Sequence, residues 1–165
     1  MNNNDRLTRL RYAVDIKDDD MLTLFSLGGT TVTQEELLDY FTKLPKEDKL
    51  AENIYKIPLD DEKFEHFLNG LVTAQRGARD DGKEAHLELN SKNANNIMLK
   101  KVKIAFSLTS HDILDIMALA GLEISNSELS AVLRKEGHRN YKTCGDRYLR
   151  YFLKGLALDY RSQEE

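Results

Sequence analysis

The stretch that decides the fold is NIMLKKVKIAFSLTSHDILDIMALAGLEISNSELSAVLRK, residues 96–135, because the chain contains an earlier version of it. With an offset of 92 residues it aligns without a gap on the N-terminal stretch that begins DRLTRLRYAVDIKDDD. Identical pairs include Leu7 with Leu99 and Gly29 with Gly121. Unrelated stretches of this length share only about two or three identities, so the sequence predicts an internal repeat.

The composition indicates a folded, water-soluble protein. The chain has 165 residues, of which 41% are hydrophobic and 32% are charged, and its formal net charge is −4. No segment is apolar for long enough to cross a bilayer, and the first residues lack the apolar core of a signal peptide. Cys144 is alone, which excludes an internal disulfide. We therefore expect a cytoplasmic protein that binds no membrane and has no general attraction to nucleic acid.

Apolar residues at helical spacing predict four helices in each copy. In the first copy these helices are expected to end near Ile16, Leu27, Pro45 and Gln75. Asp18 is the predicted cap of the second helix, and Thr33 with Glu36 three residues later gives the third helix a capping box. Residues 46–58 are charged and are predicted to be irregular.

The second copy repeats the same start signals. Asn95 or Asn96 is the predicted cap of its first helix, and Ser110 is the predicted cap of its second. Ser125 and Glu128 repeat the capping box before the third helix.

The last helix, predicted from about Gly145 to Arg161, contains FLKGL, which matches FLNGL of the fourth helix at an offset of 85 residues. Because no alternating strand pattern occurs, we predict an all-α fold in which two similar four-helix repeats pack with pseudo-two-fold symmetry. The repeats are expected to span residues 1–76 and 96–165, with a polar linker at residues 77–95.

Three stretches carry a resemblance to a known family: NNIMLKKVKIAFSLTSHDILDI at residues 95–116, RNYKTCGDRYLRYFLKGL at residues 139–156, and the FLNGL/FLKGL pair. They resemble the YehS-like family of small bacterial proteins, a tandem-repeat family of unknown function. The resemblance covers nearly the whole chain, and it is weakest at residues 46–58 and in the linker around Asp80 and Asp81. It implies a bacterial protein with a duplicated helical architecture, and it implies no catalytic or binding residue.

A basic and aromatic surface is predicted on the last helix. On a helical wheel four cationic residues lie within about 60° of one another: Arg147, Arg150, Lys154 and Arg161. Arg139 and Lys142 add positive charge before the helix, and Tyr141, Tyr148 and Tyr151 lie among the cations. Basic and aromatic side chains together are suited to phosphate contact and base stacking.

The first copy has the opposite charge in this region, because Glu62 and Glu65 occupy the positions of Arg147 and Arg150. Residues 1–95 carry 13 bases and 19 acids, a net charge of −6, whereas the remaining residues carry 11 and 9, a net charge of +2. Three interpretations stay open. The second repeat has a patch for an anionic partner, the opposite stripes face each other within the chain or in a dimer, or the stripe is an ordinary solvated helix face.

Cys144 lies among cations at the start of the last helix, where a thiol has a lowered pKa and can act as a nucleophile or redox group, with His138 as its base. Its counterpart in the first copy is Leu59, which favours a small buried apolar residue instead.

No motif predicts a metal site, a cofactor or a catalytic residue, because the histidines lack ligand spacing and no phosphate-binding loop occurs. We therefore predict a non-enzymatic binding or regulatory module that presents the basic face of its second repeat to a protein or other anionic partner. The alternatives are a nucleic-acid-binding protein that uses the same face and a thiol-dependent enzyme or redox sensor that acts through Cys144. A homo-oligomer is compatible with each of these.

Overall fold

The computed structural model describes residues 1–78 and 85–164, and these residues form eight α-helices. The helices are α1 Asn3–Ala13, α2 Asp18–Leu27, α3 Gln34–Phe41, α4 Asp61–Arg76, α5 Ala94–Ala105, α6 Ser110–Leu119, α7 Asn126–Leu133 and α8 Asp146–Glu164. The extended pairing seen in the described residues is one isolated bridge between Lys43 and Tyr55. The predicted all-α fold of two repeats is confirmed, with α1 to α4 in the first repeat and α5 to α8 in the second. Residues 79–84 of the predicted linker lie outside the described residues.

Two of the predicted N-caps form as expected, and the one at Thr33 completes its predicted capping box. Thr33 and Glu36 make both hydrogen bonds of a capping box at the start of α3. At the start of α7, the Ser125 hydroxyl accepts the backbone N–H of Glu128. These bonds satisfy N–H groups that have no partner inside the helix.

Two other predicted caps are wrong by one residue. Asp18 lies inside the first turn of α2, where its carboxylate pairs with Arg11 instead of capping the helix. Ser110 is likewise the first residue of α6, and the cap is Thr109, which forms a capping box with Asp112. Thr109, one position earlier, makes the bonds that were expected of Ser110. Serine and threonine are both good N-caps, so the sequence pattern does not decide between the two positions.

The prediction that Asn95 or Asn96 caps α5 is also wrong, because α5 begins at Ala94 with Asn93 at its N-cap, and both predicted side chains are buried. The Asn96 amide donates to the carbonyl oxygens of Val132 and Lys142 at 3.0 and 2.9 Å, and its oxygen accepts the N–H of Cys144 at 2.9 Å. The Asn95 amide donates to the Cys144 carbonyl at 2.9 Å. The pair therefore holds the chain that leads into α8.

The first repeat contains the same arrangement in Asn3 and Asn4. The Asn4 amide donates to the carbonyl oxygens of Tyr40 and Ile57, both at 2.9 Å, and its oxygen accepts the N–H of Leu59 at 2.9 Å. The Asn3 amide donates to the Leu59 carbonyl at 3.1 Å. Each repeat thus uses two adjacent asparagines at the start of its first helix to fix the entry to its fourth.

Arg6 joins the two asparagine pairs across the centre of the molecule. Its Nε donates to the Asn95 side-chain oxygen at 2.7 Å and its Nη1 to that of Asn3 at 2.8 Å. The side chain is buried, and desolvation lowers its pKa against the opposing attraction of Asp146 and Asp61. The equivalent asparagines of the two repeats therefore share one guanidinium group.

The repeats exchange packing partners instead of folding as separate bundles. The fourth helix of each repeat packs mainly on the second helix of its own repeat and on the first helix of the other, so α4 contacts α2 and α5, and α8 contacts α6 and α1. One hydrophobic core includes residues of both repeats. Such reciprocal contacts are what a pseudo-two-fold axis would produce, and the axis itself stays a prediction.

The glycines of FLNGL and FLKGL set the distance between helices. A Cβ atom on Gly70 would lie 1.8 Å from the carbonyl oxygen of Leu24 in α2, and one on Gly155 would lie 1.9 Å from that of Ile116 in α6. Only a residue without a side chain fits at these crossings.

Candidate functional site

The cations of α8 face solvent and do not meet the acidic positions of the first repeat. Arg147, Arg150 and Lys154 are exposed, and within residues 1–78 and 85–164 none of them forms an ion pair. Glu62 is also exposed and lies beside His66 of its own helix, with 3.6 Å between Oε1 and Nε2. The two stripes therefore do not neutralise each other within the chain.

Glu65 is buried and holds the end of the linker on α4. Its Oε1 accepts the backbone N–H groups of Glu88 and Leu89 at 2.8 and 2.7 Å, and its Oε2 accepts that of Glu88 at 3.0 Å. The side chain of Leu89 is buried in the core beside this contact. At this position the first repeat therefore has a buried glutamate with a structural role, and the second repeat has an exposed arginine.

A groove of about 600 Å³ lies between α1 and α8. Its cations are Arg9, Arg150, Lys154 and Arg161. Its apolar and aromatic residues are Tyr12, Ala120, Tyr151, Leu153, Ala157 and Leu158. Thr8 completes the lining, and no aspartate or glutamate contributes to it. The groove therefore combines an apolar floor with positive charge from two helices.

Arg161 and Tyr12 connect the two helices at one end of the groove. The guanidinium carbon of Arg161 lies 4.4 Å from the ring centroid of Tyr12, and its Nη2 donates to the Tyr12 carbonyl at 3.3 Å. Both residues lie near the C-terminal ends of their helices, while Met1 and Asp146 meet at the N-terminal ends, so α1 and α8 run parallel. The Tyr12 side chain is 64% exposed, which leaves the ring available to a ligand.

The groove contains four of the seven predicted binding residues: Arg150, Tyr151, Lys154 and Arg161. Arg147 lies just outside it, with its guanidinium carbon 5.3 Å from the centroid of the Tyr151 ring. Arg139 and Lys142 are exposed in the connection between α7 and α8 and do not line the groove.

Sequence reasoning missed Arg9 and Tyr12 of α1. Residues three positions apart share a helix face, so their spacing was a signal that the two side chains act together. That signal does not reveal which helix lies opposite, and the placement of α1 beside α8 comes from the tertiary structure alone.

Comparison with known proteins places the chain in a family. The chain matches the family described as "Protein of unknown function (DUF1456)" over two segments, residues 3–77 and 95–162. It belongs to this family. It is also 39% identical over 157 residues to "Uncharacterized protein YehS" of Escherichia coli (strain K12), a match that covers 95% of each chain. No solved structure matches it. The resemblance seen in the sequence is thereby confirmed, including its two-repeat organisation.

Cys144 of this DUF1456 family member is buried, as its apolar counterpart Leu59 predicts. Its Sγ donates only a weak hydrogen bond to the Gly145 carbonyl at 3.7 Å. Burial is the main reason that the pKa of Cys144 is raised to about 12; Asp146 contributes in the same direction, and Arg6 opposes them. A reactive thiol needs a lowered pKa and access to solvent, so the environment is the opposite of the one that the thiol hypothesis requires.

Among the described residues of this family member, a smaller cavity of about 400 Å³ also has cations and no acidic residue in its lining, namely Lys100, Lys103 and Arg134, but no aromatic side chain. Another cavity, of about 680 Å³, has three carboxylates in its lining, those of Asp15, Asp20 and Asp159. In the part of the chain that the structure describes, no group of three or more His, Cys, Asp or Glu residues is placed to hold a metal ion. None of the described helices is long and apolar enough to cross a membrane.

Proposed function

We propose that this protein is a non-enzymatic binding or regulatory module that holds an anionic partner protein in the groove between α1 and α8. One observation carries the proposal: four cations from two helices surround an apolar floor, and no acidic side chain lines the groove. Apolar surface supplies affinity, while complementary charge selects the partner and steers it into place.

Two cations of the groove are available to a partner. Arg150 and Lys154 are exposed and form no ion pair among the described residues, so a partner's carboxylates replace only water. Binding therefore requires no rearrangement of an existing salt bridge, which keeps the cost of association low.

A protein partner is favoured over nucleic acid. The chain as a whole carries a net charge of −4, which opposes the long-range attraction that nucleic-acid binding uses. Tyr141 and Tyr148, two of the three aromatic residues predicted for base stacking, are half-buried and do not line the groove. We place the protein in the cytoplasm, which its single unpaired cysteine supports.

Selection from a library of displayed random peptides tests the proposal. The wild-type protein is compared with Arg150→Glu/Lys154→Glu and with a matched control, Arg139→Glu/Lys142→Glu, which has the same change in net charge outside the groove. We expect the wild type and the control to enrich peptides that combine Asp or Glu with apolar residues, and the groove variant to lose them. Circular dichroism confirms that all three proteins are folded.

Three results would contradict the proposal. One is the absence of any enriched peptide, and another is equal enrichment by the groove variant. The third is salt-dependent binding of DNA or RNA oligonucleotides that the groove variant abolishes while no peptide is selected, which would assign the groove to nucleic acid. Self-association that is lost in the groove variant, measured by sedimentation, would identify a second copy of the chain as the occupant.

A further inference from the structure

We propose that the groove between α1 and α8 binds its partner as an extended acidic peptide, which it recognises through the peptide's carbonyl and carboxylate oxygens. This inference rests on the proposed function and specifies the partner's conformation and chemistry. It follows from the way in which the equivalent helix pair of the same chain, α4 and α5, already holds a segment of the linker.

In the α4/α5 pair, Glu65 of α4 holds the residues that precede α5. The Glu65 carboxylate accepts three hydrogen bonds of 2.7 to 3.0 Å from the backbone N–H groups of Glu88 and Leu89. The Leu89 side chain is buried beside them. These residues lie outside any helix, so their backbone N–H groups are free to bond to a side chain. The Glu65 carboxylate, the buried Leu89 side chain and the Asn93 amide, which donates to the Glu88 carbonyl at 2.9 Å, fix this segment.

The two helix pairs are equivalent by sequence and by direction. At the offset of 85 residues Glu65 corresponds to Arg150 and Arg76 corresponds to Arg161. Each of these C-terminal arginines bonds to the partner helix end, Arg161 to Tyr12 and Arg76 to Ser107, so both pairs run parallel. The α1/α8 groove therefore corresponds in position to a site that holds a non-helical segment of chain.

The occupancy of the two sites differs. Glu65 is 1% exposed because the linker covers it, whereas Arg150 is exposed and has no ion-pair partner among residues 1–78 and 85–164. The linker covers the site at Glu65, whereas the equivalent site at Arg150 is exposed to solvent.

The exchange of glutamate for arginine reverses what the site recognises. A carboxylate only accepts hydrogen bonds, so Glu65 takes backbone N–H groups, whereas a guanidinium only donates them. Arg150 therefore requires carbonyl or carboxylate oxygens from its ligand. A helical ligand would use most of its carbonyl groups internally, but an extended one presents them.

The groove also fixes the length and pattern of the peptide. Arg150 and Arg161 are 11 residues apart on α8, which corresponds to about 16 Å of helix. About five extended residues span that distance, and their side chains alternate between the apolar floor and the cationic rim. We therefore expect apolar residues at every second position with Asp or Glu between them.

Two fluorescent peptides of about eight residues, with the same numbers of Glu and of apolar residues, test the inference by anisotropy. The first alternates Glu with Leu or Val and contains one central proline, which prevents helix formation and leaves the carbonyl oxygens in place. The second places the apolar residues at helical spacing, and a hydrocarbon staple fixes it as a helix. We expect the extended peptide to bind about tenfold more tightly, and Arg150→Glu to weaken its binding by about tenfold or more. Arg139→Glu serves as the matched control and should leave its affinity unchanged.

The outcomes separate this inference from the proposed function. Tighter binding of the helical peptide that Arg150→Glu abolishes would overturn the extended conformation but leave the groove as the binding site. Equal binding of an extended peptide with Gln in place of Glu would overturn the acidic recognition. Failure of the wild type to bind either peptide, together with a failed display selection, would remove both proposals.

Discussion

Gly70 and Gly155 allow two pairs of helices to approach more closely than any side chain permits. The atoms that an added Cβ would meet, the carbonyl oxygens of Leu24 and Ile116 at 1.8 and 1.9 Å, belong to the backbone of a neighbouring helix. A backbone carbonyl cannot rotate away without displacing its helix, so relief of the clash would have to move the whole element.

We predict that Gly70→Ala lowers the free energy of unfolding by about 3 kcal/mol or prevents folding, because it forces α2 and α4 apart. Urea denaturation followed by circular dichroism measures the effect. Gly145→Ala is the control, since a Cβ there meets nothing within 4 Å, and it should change stability by less than about 0.5 kcal/mol. A Gly70→Ala protein as stable as the wild type would contradict this close crossing of α2 and α4.

The buried thiol of Cys144 has a consequence for stability at alkaline pH. Burial raises its pKa to about 12 in the folded protein, whereas in the unfolded chain it is about 8.5. Below the unfolded value both states keep the proton and the free energy of unfolding does not depend on this group. Above it the unfolded state releases the proton first, so stability falls with rising pH up to the folded value, by at most about 1.4 kcal/mol per pH unit.

We therefore predict that the stability advantage of the wild type over Cys144→Ala shrinks between pH 8.5 and 10.5 and then reverses. Denaturation of both proteins in the presence of a reductant, at half-unit steps from pH 7.5, measures the difference in the free energy of unfolding. Other alkaline titrations are common to both proteins and cancel in this difference. A difference that stays constant across the range would show that the thiol is not desolvated in the fold.

At the scale of elements, the fourth helices of the two repeats have matching buried faces and different outer faces. FLNGL of α4 and FLKGL of α8 make the same close crossings with the second helices. On the outer side, Glu65 fixes the end of the linker, while Arg150 lines an open groove. Duplication has thus preserved the packing surface and altered the surface that recognises a segment of chain.

We predict that Glu65→Gln accelerates hydrogen exchange at the amides of Glu88 and Leu89 by about tenfold, because hydrogen bonds to a charged acceptor are stronger than those to a neutral one. Exchange measured residue by residue by NMR gives the result. Glu62→Gln is the control, because Glu62 is exposed on the same helix and contacts neither amide. Unchanged exchange in Glu65→Gln would mean that the linker end is held by other contacts.

At the scale of the whole molecule, the exchange of helices between repeats makes the two halves depend on each other. α1 packs on α8, α4 packs on α5, and Arg6 lies between the asparagines of both repeats. A single repeat would expose the apolar faces that now meet the other, and a domain of that size has little surplus stability.

We predict that fragments 1–77 and 86–165, produced separately, are each largely unfolded and form the native fold when mixed. Circular dichroism and NMR of the fragments, alone and at equal concentration, measure this. The intact chain should unfold in one transition that is the same for probes in either repeat. Cooperative unfolding of fragment 1–77 alone would show that the first repeat is an independent domain.

The sequence by itself determined the local structure of this protein. The helical pattern, the capping box at Thr33 and the cap at Ser125 depend on residues no more than four positions apart, and the repeat is found by comparing the chain with itself. The comparison between copies also predicted the burial of Cys144, because an apolar leucine occupies the equivalent place. The same comparison identified the charge reversal at Arg150.

The tertiary structure alone decided how these elements combine. The partners of Asn96 lie 36 to 48 residues away, and Arg9 and Tyr12 reach the groove because α1 lies beside a helix from the opposite end of the chain. Contacts over such distances leave no periodic signal, so buried asparagines have the same sequence pattern as helix caps. The groove exists for the same reason: its two walls come from different repeats, and only their packing brings the cations together.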